Sequence, residues 1–151
     1  MPEIQAGQRL QALEDREAIR ELIARYGPLA DSGQDDAVAA LFTPDGVYAV
    51  GGMGEAQGRA AIAALIQGPI HQSLMADGCA HVLTSPAIEL DGDQAIARCH
   101  SIVLRHQDNA WIPLRVAANR WHLVRGREGW QVSRRDNALL DGSAAARALL
   151  S

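Results

Sequence analysis

One helical pattern dominates the first part of the chain. Over residues 8–31, apolar side chains recur at spacings of three and four, with charged side chains between them. This periodicity predicts a long amphipathic helix with one buried face. Proline lacks a backbone N–H, so Gly27 and Pro28 are expected to loosen or kink the helix near its end. The predicted apolar face contains Leu10, Leu13, Ala18, Ile19, Leu22, Ile23 and Tyr26.

Shorter elements follow this helix. A second helix is predicted over residues 35–42, where acidic residues at its start suit the positive end of the helix dipole. Residues 43–46 (TPDG) favour a turn, and residues 47–50 predict a short strand. The glycine-rich segment 51–54 is expected to be a flexible connection, because no strand and helix frame it as a phosphate-binding loop. A third helix is predicted over 60–67, then loop or irregular helix over 68–78.

From residue 79 the pattern becomes that of antiparallel strands. Four segments, at 79–90, 94–106, 110–125 and 129–140, combine valine, isoleucine, leucine and tryptophan with alternating polar residues. Short turns such as Asp91-Gly92-Asp93 and Asp108-Asn109 separate them, and these predict hairpins. The alanine- and leucine-rich end, residues 143–150, predicts a last short helix with Ser143 as its N-cap.

Helices followed by a strand meander predict an α+β fold. The N-terminal helices are expected to pack against a curved, mixed or antiparallel sheet, giving a cone-shaped barrel that encloses an apolar pocket. Such a pocket is the expected site of function. The length of 151 residues suits a single domain over residues 1–151, and a hydrophobic fraction of 48% suffices for a sizeable core.

Composition excludes several classes of partner. The formal net charge of -4 disfavours nucleic acid, whose phosphates require a basic surface. The N-terminus does not resemble a signal peptide, and no segment reaches the ~18 apolar residues of a membrane span. The chain is therefore expected to be soluble and cytoplasmic. Cys79 and Cys99 fit no metal-binding spacing, so both are expected to be reduced and buried in strands.

Three segments resemble the SnoaL-like superfamily of cystatin-like α+β cone proteins. They are LEDREAIRELIARYGPLADSGQDDAVAALFTPDGVY, AHVLTSPAIELDGDQAIARCH and GWQVSRRDNALLDG, which together extend over nearly the whole chain. The resemblance implies the cone fold. It implies less about activity, because one fold hosts many chemistries. The family contains scytalone dehydratase, hexachlorocyclohexane dehydrochlorinase, polyketide cyclases, steroid isomerases, lyases of aromatic catabolism and ring-hydroxylating dioxygenase β subunits.

The dehydratase and the dehydrochlorinase share a catalytic pattern that this chain matches. Each has an aspartate at the end of the first helical region and a histidine at the start of the first long strand. Those positions hold Asp31 and His81 here. A second histidine of the dehydratase corresponds to His106, and an asparagine on its following strand corresponds to Asn119.

The chain also departs from the dehydratase pattern. Where the dehydratase has two tyrosines that polarise a substrate carbonyl, this chain has Ala30 and Val50, and the strand serine is Ala117. Tyr26 and Tyr48 are close in sequence to the expected tyrosines and are the candidates for substrate contact. The resemblance therefore implies a shared base and excludes scytalone as the expected substrate.

Residue types explain how such a pair would work. A histidine with an ordinary pKa of about 6.5 accepts a proton at neutral pH. A carboxylate bonded to one ring nitrogen fixes the tautomer and stabilises the imidazolium. Asp31 could also cap the helix that begins after it, and the two roles are compatible.

Further candidates are assigned by strand parity. His100 and His106 share parity on one strand and could both face the pocket. Arg115 shares parity with Asn119, and Arg135 shares parity with Asn137. An arginine on the concave face could bind a phenolate or carboxylate, or stabilise an anionic leaving group. His71 and His122 are expected in loops or at the surface. No metal is expected, since the histidines and cysteines lack ligand spacing.

The leading functional hypothesis is a cofactor-independent lyase or isomerase. His81, oriented by Asp31, would remove a proton from an aromatic, polyketide, terpenoid or steroid-like molecule, and water, halide or formaldehyde would leave, or the double bond would migrate. The alternatives are a non-catalytic dioxygenase β-type subunit and a ligand-binding protein. The resemblance also implies a homodimer or homotrimer, with Val103, Trp111 and Val116 on the outer sheet face.

Overall fold

The computed structural model describes residues 2–151, so Met1 of the predicted domain lies outside it. Five helices and seven strands occur within that range. In chain order they are α1 (Pro2–Asp31), α2 (Asp35–Ala40), β1 (Phe42–Val50), β2 (Gly54–Gln57), α3 (Arg59–Gln67), α4 (Pro69–Asp77), β3 (Cys79–Leu83), β4 (Ala87–Asp91), β5 (Gln94–Gln107), β6 (Ala110–Gly126), β7 (Gly129–Leu139) and α5 (Ala144–Ala148).

The strands form one curved, mixed sheet. Its order is β2-β1-β7-β6-β5-β3, with β4 also paired to β5. Strand β1 runs parallel to β7, and the other pairs are antiparallel. Irregularities at Val103/Leu104 and His122/Leu123 interrupt the long strands, and bulges of this kind bend a strand. The α+β class is confirmed. The barrel is corrected to an open sheet, because β2 and β3 remain unpaired edges within residues 2–151.

Helix α1 buries only its second half. Ile19, Ile23 and Ala30 recur at helical spacing and join the core. Leu10 and Leu13 were predicted on the same face but are 57% and 64% exposed. The helix begins at Pro2 rather than residue 8 and continues through Pro28 to Asp31, which brings Asp31 to the sheet.

A buried carboxylate fastens the middle of α1 to the far end of the sheet. Asp15 accepts hydrogen bonds from Nε1 of Trp130 at 3.0 Å and from Nη1 of Arg125 at 2.5 Å. Burial alone would raise the pKa of Asp15, but these hydrogen bonds and the charge of Arg125 lower it. Helix α1 is thus held at Asp15 and again where it meets β3.

The predicted strand over residues 79–90 is two strands. Both β3 and β4 pair with β5. Leu83 pairs with Ser101 and Ala87 pairs with Arg98, so the chain between β3 and β4 has one residue more than the part of β5 opposite it. Pro86 lies in this unpaired segment, where its missing N–H breaks no ladder hydrogen bond. The predicted hairpin at Asp108-Asn109 is confirmed, and both residues have positive φ as a two-residue turn requires.

Other local predictions need smaller corrections. Residues 43–46 belong to β1 rather than to a separate turn, β2 was not predicted, and residues 69–77 form the regular helix α4. Ser143 caps α5 as predicted, accepting a hydrogen bond from the N–H of Ala146 at 3.3 Å. None of the helices within residues 2–151 has the length and apolar character to cross a membrane.

Gly27 allows α1 to touch β3. A Cβ atom on Gly27 would overlap the backbone carbonyl oxygen of His81 and would lie 3.7 Å from a methyl group of Leu83. Only a residue without a side chain permits this approach. The contact sets the distance between the end of α1 and the strand that carries His81.

Replacing Gly27 by alanine is expected to lower the free energy of unfolding by about 2 kcal/mol, because the two backbones have to separate. Gly7→Ala is the matched control on the same helix, since a Cβ atom there meets nothing within 4 Å. That change is expected to be neutral or to stabilise by up to about 1 kcal/mol. Urea unfolding measures both variants, and equal responses would contradict the close approach at Gly27.

Candidate active site

A cavity of about 280 Å³ lies between the concave face of the sheet and helices α1, α3 and α4. Most of its lining is aliphatic, which makes it a low-dielectric environment where charges interact strongly. Two groups of polar side chains interrupt that lining, one at β3 and α4 and one on strands β5–β7. The aliphatic wall includes Val50, Leu65, Ile66, Leu74, Leu83 and Val103.

His81 and Asp31 are directly hydrogen bonded at the β3 end of the cavity. Nδ1 of His81 lies 2.6 Å from Oδ1 of Asp31, and the backbone N–H of His81 donates to the same carboxylate at 3.0–3.1 Å. An ionised carboxylate only accepts hydrogen bonds, so Nδ1 carries a proton, and in the neutral form of the ring Nε2 is the nitrogen with the lone pair. Asp31 makes no side-chain cap to α2, whose N-cap is Gln34.

Two opposing effects set the charge of Asp31. Burial acts to raise the pKa of this carboxyl group, but the hydrogen bonds from the side chain and backbone of His81 outweigh it and hold the pKa below its usual value. The carboxylate therefore stays ionised at neutral pH. It can compensate a positive charge on His81.

Cys79 is the third group in contact with Asp31. Its thiol donates to Oδ1 of Asp31 at 3.6 Å, and burial with the nearby carboxylate raises the pKa of Cys79 to about 11. Cys79 is half-buried, whereas Cys99 is buried as predicted, and both are free. The Cys79 thiol therefore remains protonated at neutral pH and acts here as a weak hydrogen-bond donor.

The same three side chains are the one group within residues 2–151 that could hold a metal ion. The ligand atoms of Asp31, Cys79 and His81 all lie within 4.8 Å of one another. A metal ion bound through Nδ1 of His81 would replace the hydrogen bond from that nitrogen to Asp31.

His71 was expected in a loop or at the surface, and that prediction is wrong. Its side chain lies on α4, is 7% exposed and lines the cavity, with its ring 5.4 Å from the ring of His81. Nε2 of His71 donates to the carbonyl oxygen of Ala30 at 2.6 Å, which leaves Nδ1 as an acceptor. Burial lowers the pKa of His71 and outweighs the hydrogen bond to Ala30, which acts to raise it. His71 is therefore neutral beside His81.

A chain of polar side chains crosses strands β5, β6 and β7 on the opposite wall. Asn119 is fully buried at its centre, donating to Oγ of Ser101 at 2.7 Å and accepting from Nε of Arg135 and Nδ2 of Asn137, both at 2.9 Å. Arg115 donates at 2.8 Å to Oδ1 of Asn137. Both amides thus use their donors and acceptors, which fixes their orientation.

The structure brings most of the predicted substrate-contact residues to one cavity. The lining includes Tyr26, Tyr48, Arg115 and Asn137, while Asn119 lies directly behind them. Arg135, which shares a strand face with Asn137, also lines the cavity.

Two predicted histidines lie elsewhere. On β5 the odd-numbered residues face inward from Ala95 to Val103, so His100 points outward and is exposed. His106 lies beyond the irregularity at Val103/Leu104, with its ring 5.1 Å from the ring of Trp111. The prediction that both face the cavity is wrong, and the prediction that Val103 lies on the outer face is wrong for the same reason.

Two cavity residues were missed by sequence reasoning. Ser101 shares inward parity with Val103, so correct assignment of the β5 faces would have found it. On α4, His71 and Leu74 are the buried residues, and their spacing of three is typical of a helix. The segment is only nine residues long and has a glycine on each side, so the pattern was not recognised as a helix.

The chain is similar to known proteins over most of its length. Residues 11–136 match a family model described as a SnoaL-like domain. A solved structure from Novosphingobium aromaticivorans, described as an NTF2-like protein with a cystatin-like fold, is 59% identical, covers 97% of this chain and 95% of its own, and has a TM-score of 0.95. None of the curated proteins matches this chain.

More distant structures share the architecture. A Catenulispora acidiphila structure in complex with S-DNPA is 25% identical, covers 89% of this chain and 98% of its own, and has a TM-score of 0.73. ActVI-ORFA from Streptomyces coelicolor is 22% identical, covers 83% of this chain and 96% of its own, and has a TM-score of 0.72. At that identity the likeness shows the fold alone.

The lowered pKa of His71 predicts a pH-dependent stability. The unfolded state, with a histidine pKa of about 6.5, binds the proton that buried His71 resists, so the free energy of unfolding decreases as pH falls from above about 6.5 toward the folded-state pKa. His71→Gln is expected to lose part of this decrease, as measured by urea unfolding at a series of pH values. His100→Gln, at an exposed position, is the control. Identical pH profiles for wild type and His71→Gln would contradict the buried neutral state.

Proposed function

The chain belongs to the SnoaL-like family, which includes polyketide cyclases, isomerases and dehydratases, and on that premise we propose that it is a cofactor-independent lyase or isomerase. Its substrate is a small, largely apolar molecule. Asp31 and His81 act together as the general base. The alternative functions, a dioxygenase β-type subunit or a ligand-binding protein, require no such pair.

The contact of 2.6 Å between Nδ1 of His81 and Oδ1 of Asp31 is the observation that supports this proposal most strongly. It is a short, direct hydrogen bond from the ring N–H to a carboxylate, and hydrogen bonds to ionised groups are shorter and stronger than neutral ones. His81 also lines the cavity, and the side-chain hydrogen bond found for it within residues 2–151 is the one from Nδ1 to Asp31. A base oriented by a carboxylate, with its free nitrogen beside an apolar cavity, is what proton abstraction from an apolar substrate requires.

The proton follows a simple route in this proposal. Nε2 of His81 accepts a proton from a carbon or hydroxyl group of the substrate, and the resulting imidazolium is stabilised by the ionised Asp31 carboxylate. In an elimination, the electron pair of the broken C–H bond forms a double bond as halide leaves, or as hydroxide leaves and takes the proton from His81 to become water. In a loss of formaldehyde, the electron pair of the broken O–H bond forms the C=O bond of formaldehyde while a C–C bond breaks, and the carbon left behind takes the proton from His81. In an isomerisation, His81 returns the proton at another carbon. All of these steps use side chains of this chain alone.

The cavity favours substrates with little polar surface. Its aliphatic lining and its volume of about 280 Å³ fit an aromatic, polyketide or terpenoid molecule of a few rings. Ligand binding by the related Catenulispora acidiphila protein is consistent with a site of this kind. The apolar lining also excludes water, which strengthens the attraction between Asp31 and a protonated His81.

Proton abstraction can be detected without knowing the product. A panel of aromatic, polyketide-like and terpenoid ketones is incubated with the protein in D₂O, and deuterium incorporation is measured by mass spectrometry. For any compound that exchanges, His81→Ala is expected to lower the rate at least about 100-fold, because it removes the base. Asp31→Asn is expected to lower it as well, because a neutral amide does not compensate the imidazolium.

His100→Ala is the matched control, since His100 is exposed on the outer sheet face. This variant is expected to exchange at the wild-type rate. Undiminished exchange by His81→Ala would contradict the base assignment. Binding of panel members without any exchange would favour the ligand-binding alternative.

We also propose that two or three copies of the chain associate through the outer face of β6. Trp111 and Val116 are 57% and 42% exposed there, and burying such side chains between copies would stabilise an oligomer. Light scattering is expected to give two or three times the chain mass of 16.2 kDa. The double variant Trp111→Ser/Val116→Ser is expected to reduce that mass. Ile4→Ser, at an exposed position of α1, is the control. A monomeric wild type would contradict the proposal.

A further inference from the structure

Arg135 is a buried cation with an unused hydrogen-bond donor. Its side chain is 2% exposed and forms part of the cavity lining. Nε donates to Asn119, whereas Nη1 is buried and has no acceptor within residues 2–151. Buried guanidinium groups are usually paired with a carboxylate or fully hydrogen bonded. This one is neither.

Aromatic rings provide part of the missing compensation. The guanidinium carbon of Arg135 lies 4.2 Å from the ring centroids of Tyr26 and Trp121 and 4.6 Å from that of Tyr48. Contacts of this type attract a cation to the ring face. The three rings hold the guanidinium in place, and its Nη1 group still has no hydrogen-bond acceptor within residues 2–151.

A second guanidinium strengthens the positive character of this wall. Arg115 also lines the cavity, and its Nη2 donates to the carbonyl oxygen of Gly51 and to Asn137, each at 2.8 Å. Among residues 2–151, no aspartate or glutamate forms an ion pair with either arginine. The two positive charges therefore face the cavity without a protein counter-charge.

We propose that this wall is an anion subsite, in which the guanidinium of Arg135 binds a carboxylate, phenolate or ketone oxygen of the substrate. The chemical class it selects is an apolar ring system that carries one carboxylate, phenolate or ketone oxygen. Arg115 adds to the positive potential, and Asn119 positions Arg135. The proposal rests on the proposed function in one respect, namely that the substrate occupies the same cavity as His81.

The position of the subsite suits the proposed proton transfer. Tyr26 contacts both sides, because its ring centroid is 6.3 Å from that of His81 and 4.2 Å from the guanidinium carbon of Arg135. One small molecule can therefore reach both residues. When the C–H bond next to a carbonyl breaks, the proton moves to Nε2 of His81 and the electron pair moves to the carbonyl oxygen, giving an enolate beside Arg135. Positive groups placed where charge develops stabilise that state.

Matched pairs of charged and neutral ligands test the subsite directly. Benzoate, 2-naphthoate and anthracene-2-carboxylate are each compared with the corresponding amide by titration calorimetry at neutral pH. At least one carboxylate is expected to bind about tenfold or more tightly than its amide, because a charge-assisted hydrogen bond replaces a neutral one. Arg135→Gln is expected to abolish this preference, and Arg135→Lys to restore part of it.

His81→Ala separates this proposal from the proposed function. It is expected to retain the carboxylate preference even though proton exchange is lost, because His81 lies outside the anion subsite. Equal binding of every acid and its amide, no binding of any probe, or a preference that survives Arg135→Gln would each overturn the proposal.

The wild-type protein provides a second measurement if Arg135→Gln does not fold. The ¹⁵N–¹H signal of the Arg135 Nε group is expected to shift on adding the preferred carboxylate and to remain in place with the amide. A shift confined to Arg115 would overturn the assignment to Arg135.

Discussion

The hydrogen bond between Asp31 and His81 is the contact on which the arrangement of the cavity depends. It joins the last residue of α1 to β3, and the backbone N–H of His81 reinforces it. The helix reaches the strand only because Gly27 has no side chain to overlap the His81 carbonyl group. Neutral His71 is attached to the same region through the carbonyl oxygen of Ala30. The close contact between the end of α1 and β3 therefore determines both the packing of the helix on the sheet and the geometry of the proposed base.

The cavity separates its charged groups across an aliphatic interior. The negative charge of Asp31 is hydrogen bonded to His81 on β3, and the guanidinium groups of Arg115 and Arg135 line the cavity from β6 and β7. In a medium of low dielectric constant such an arrangement creates a strong field. That field would favour moving a proton toward His81 and leaving negative charge on the substrate near Arg135. Asn119 is fully buried, and its hydrogen bonds hold the side chains of Ser101, Arg135 and Asn137 in place.

The sequence predicted the fold class because its signals were local. The α1 periodicity and the Asp108-Asn109 turn depend on neighbouring residues. The turn is confirmed, and the helix is confirmed with its buried face in the second half. The family resemblance supplied Asp31 and His81, which are fifty residues apart and have no local pattern in common.

Other features depended on long-range geometry that no local pattern contains. The outward direction of His100 follows from which face of β5 the sheet buries, and parity alone gives two equal choices. The burial of His71 depends on the packing of α4 against α3 and β5 and on the hydrogen bond from His71 to Ala30 of α1. The open edges at β2 and β3 depend on sheet curvature, which the strand pattern does not encode.

The protonation of the His81 ring tests the central claim most directly. Two-dimensional ¹H–¹⁵N spectra that connect ring carbons to ring nitrogens distinguish the two neutral tautomers of each histidine at neutral pH. The account predicts that Nδ1 of His81 is protonated and Nε2 is not, and that Asp31→Asn disturbs this state. A His81 ring protonated only at Nε2 would contradict it, because the nitrogen beside the cavity would then have no lone pair with which to accept a proton.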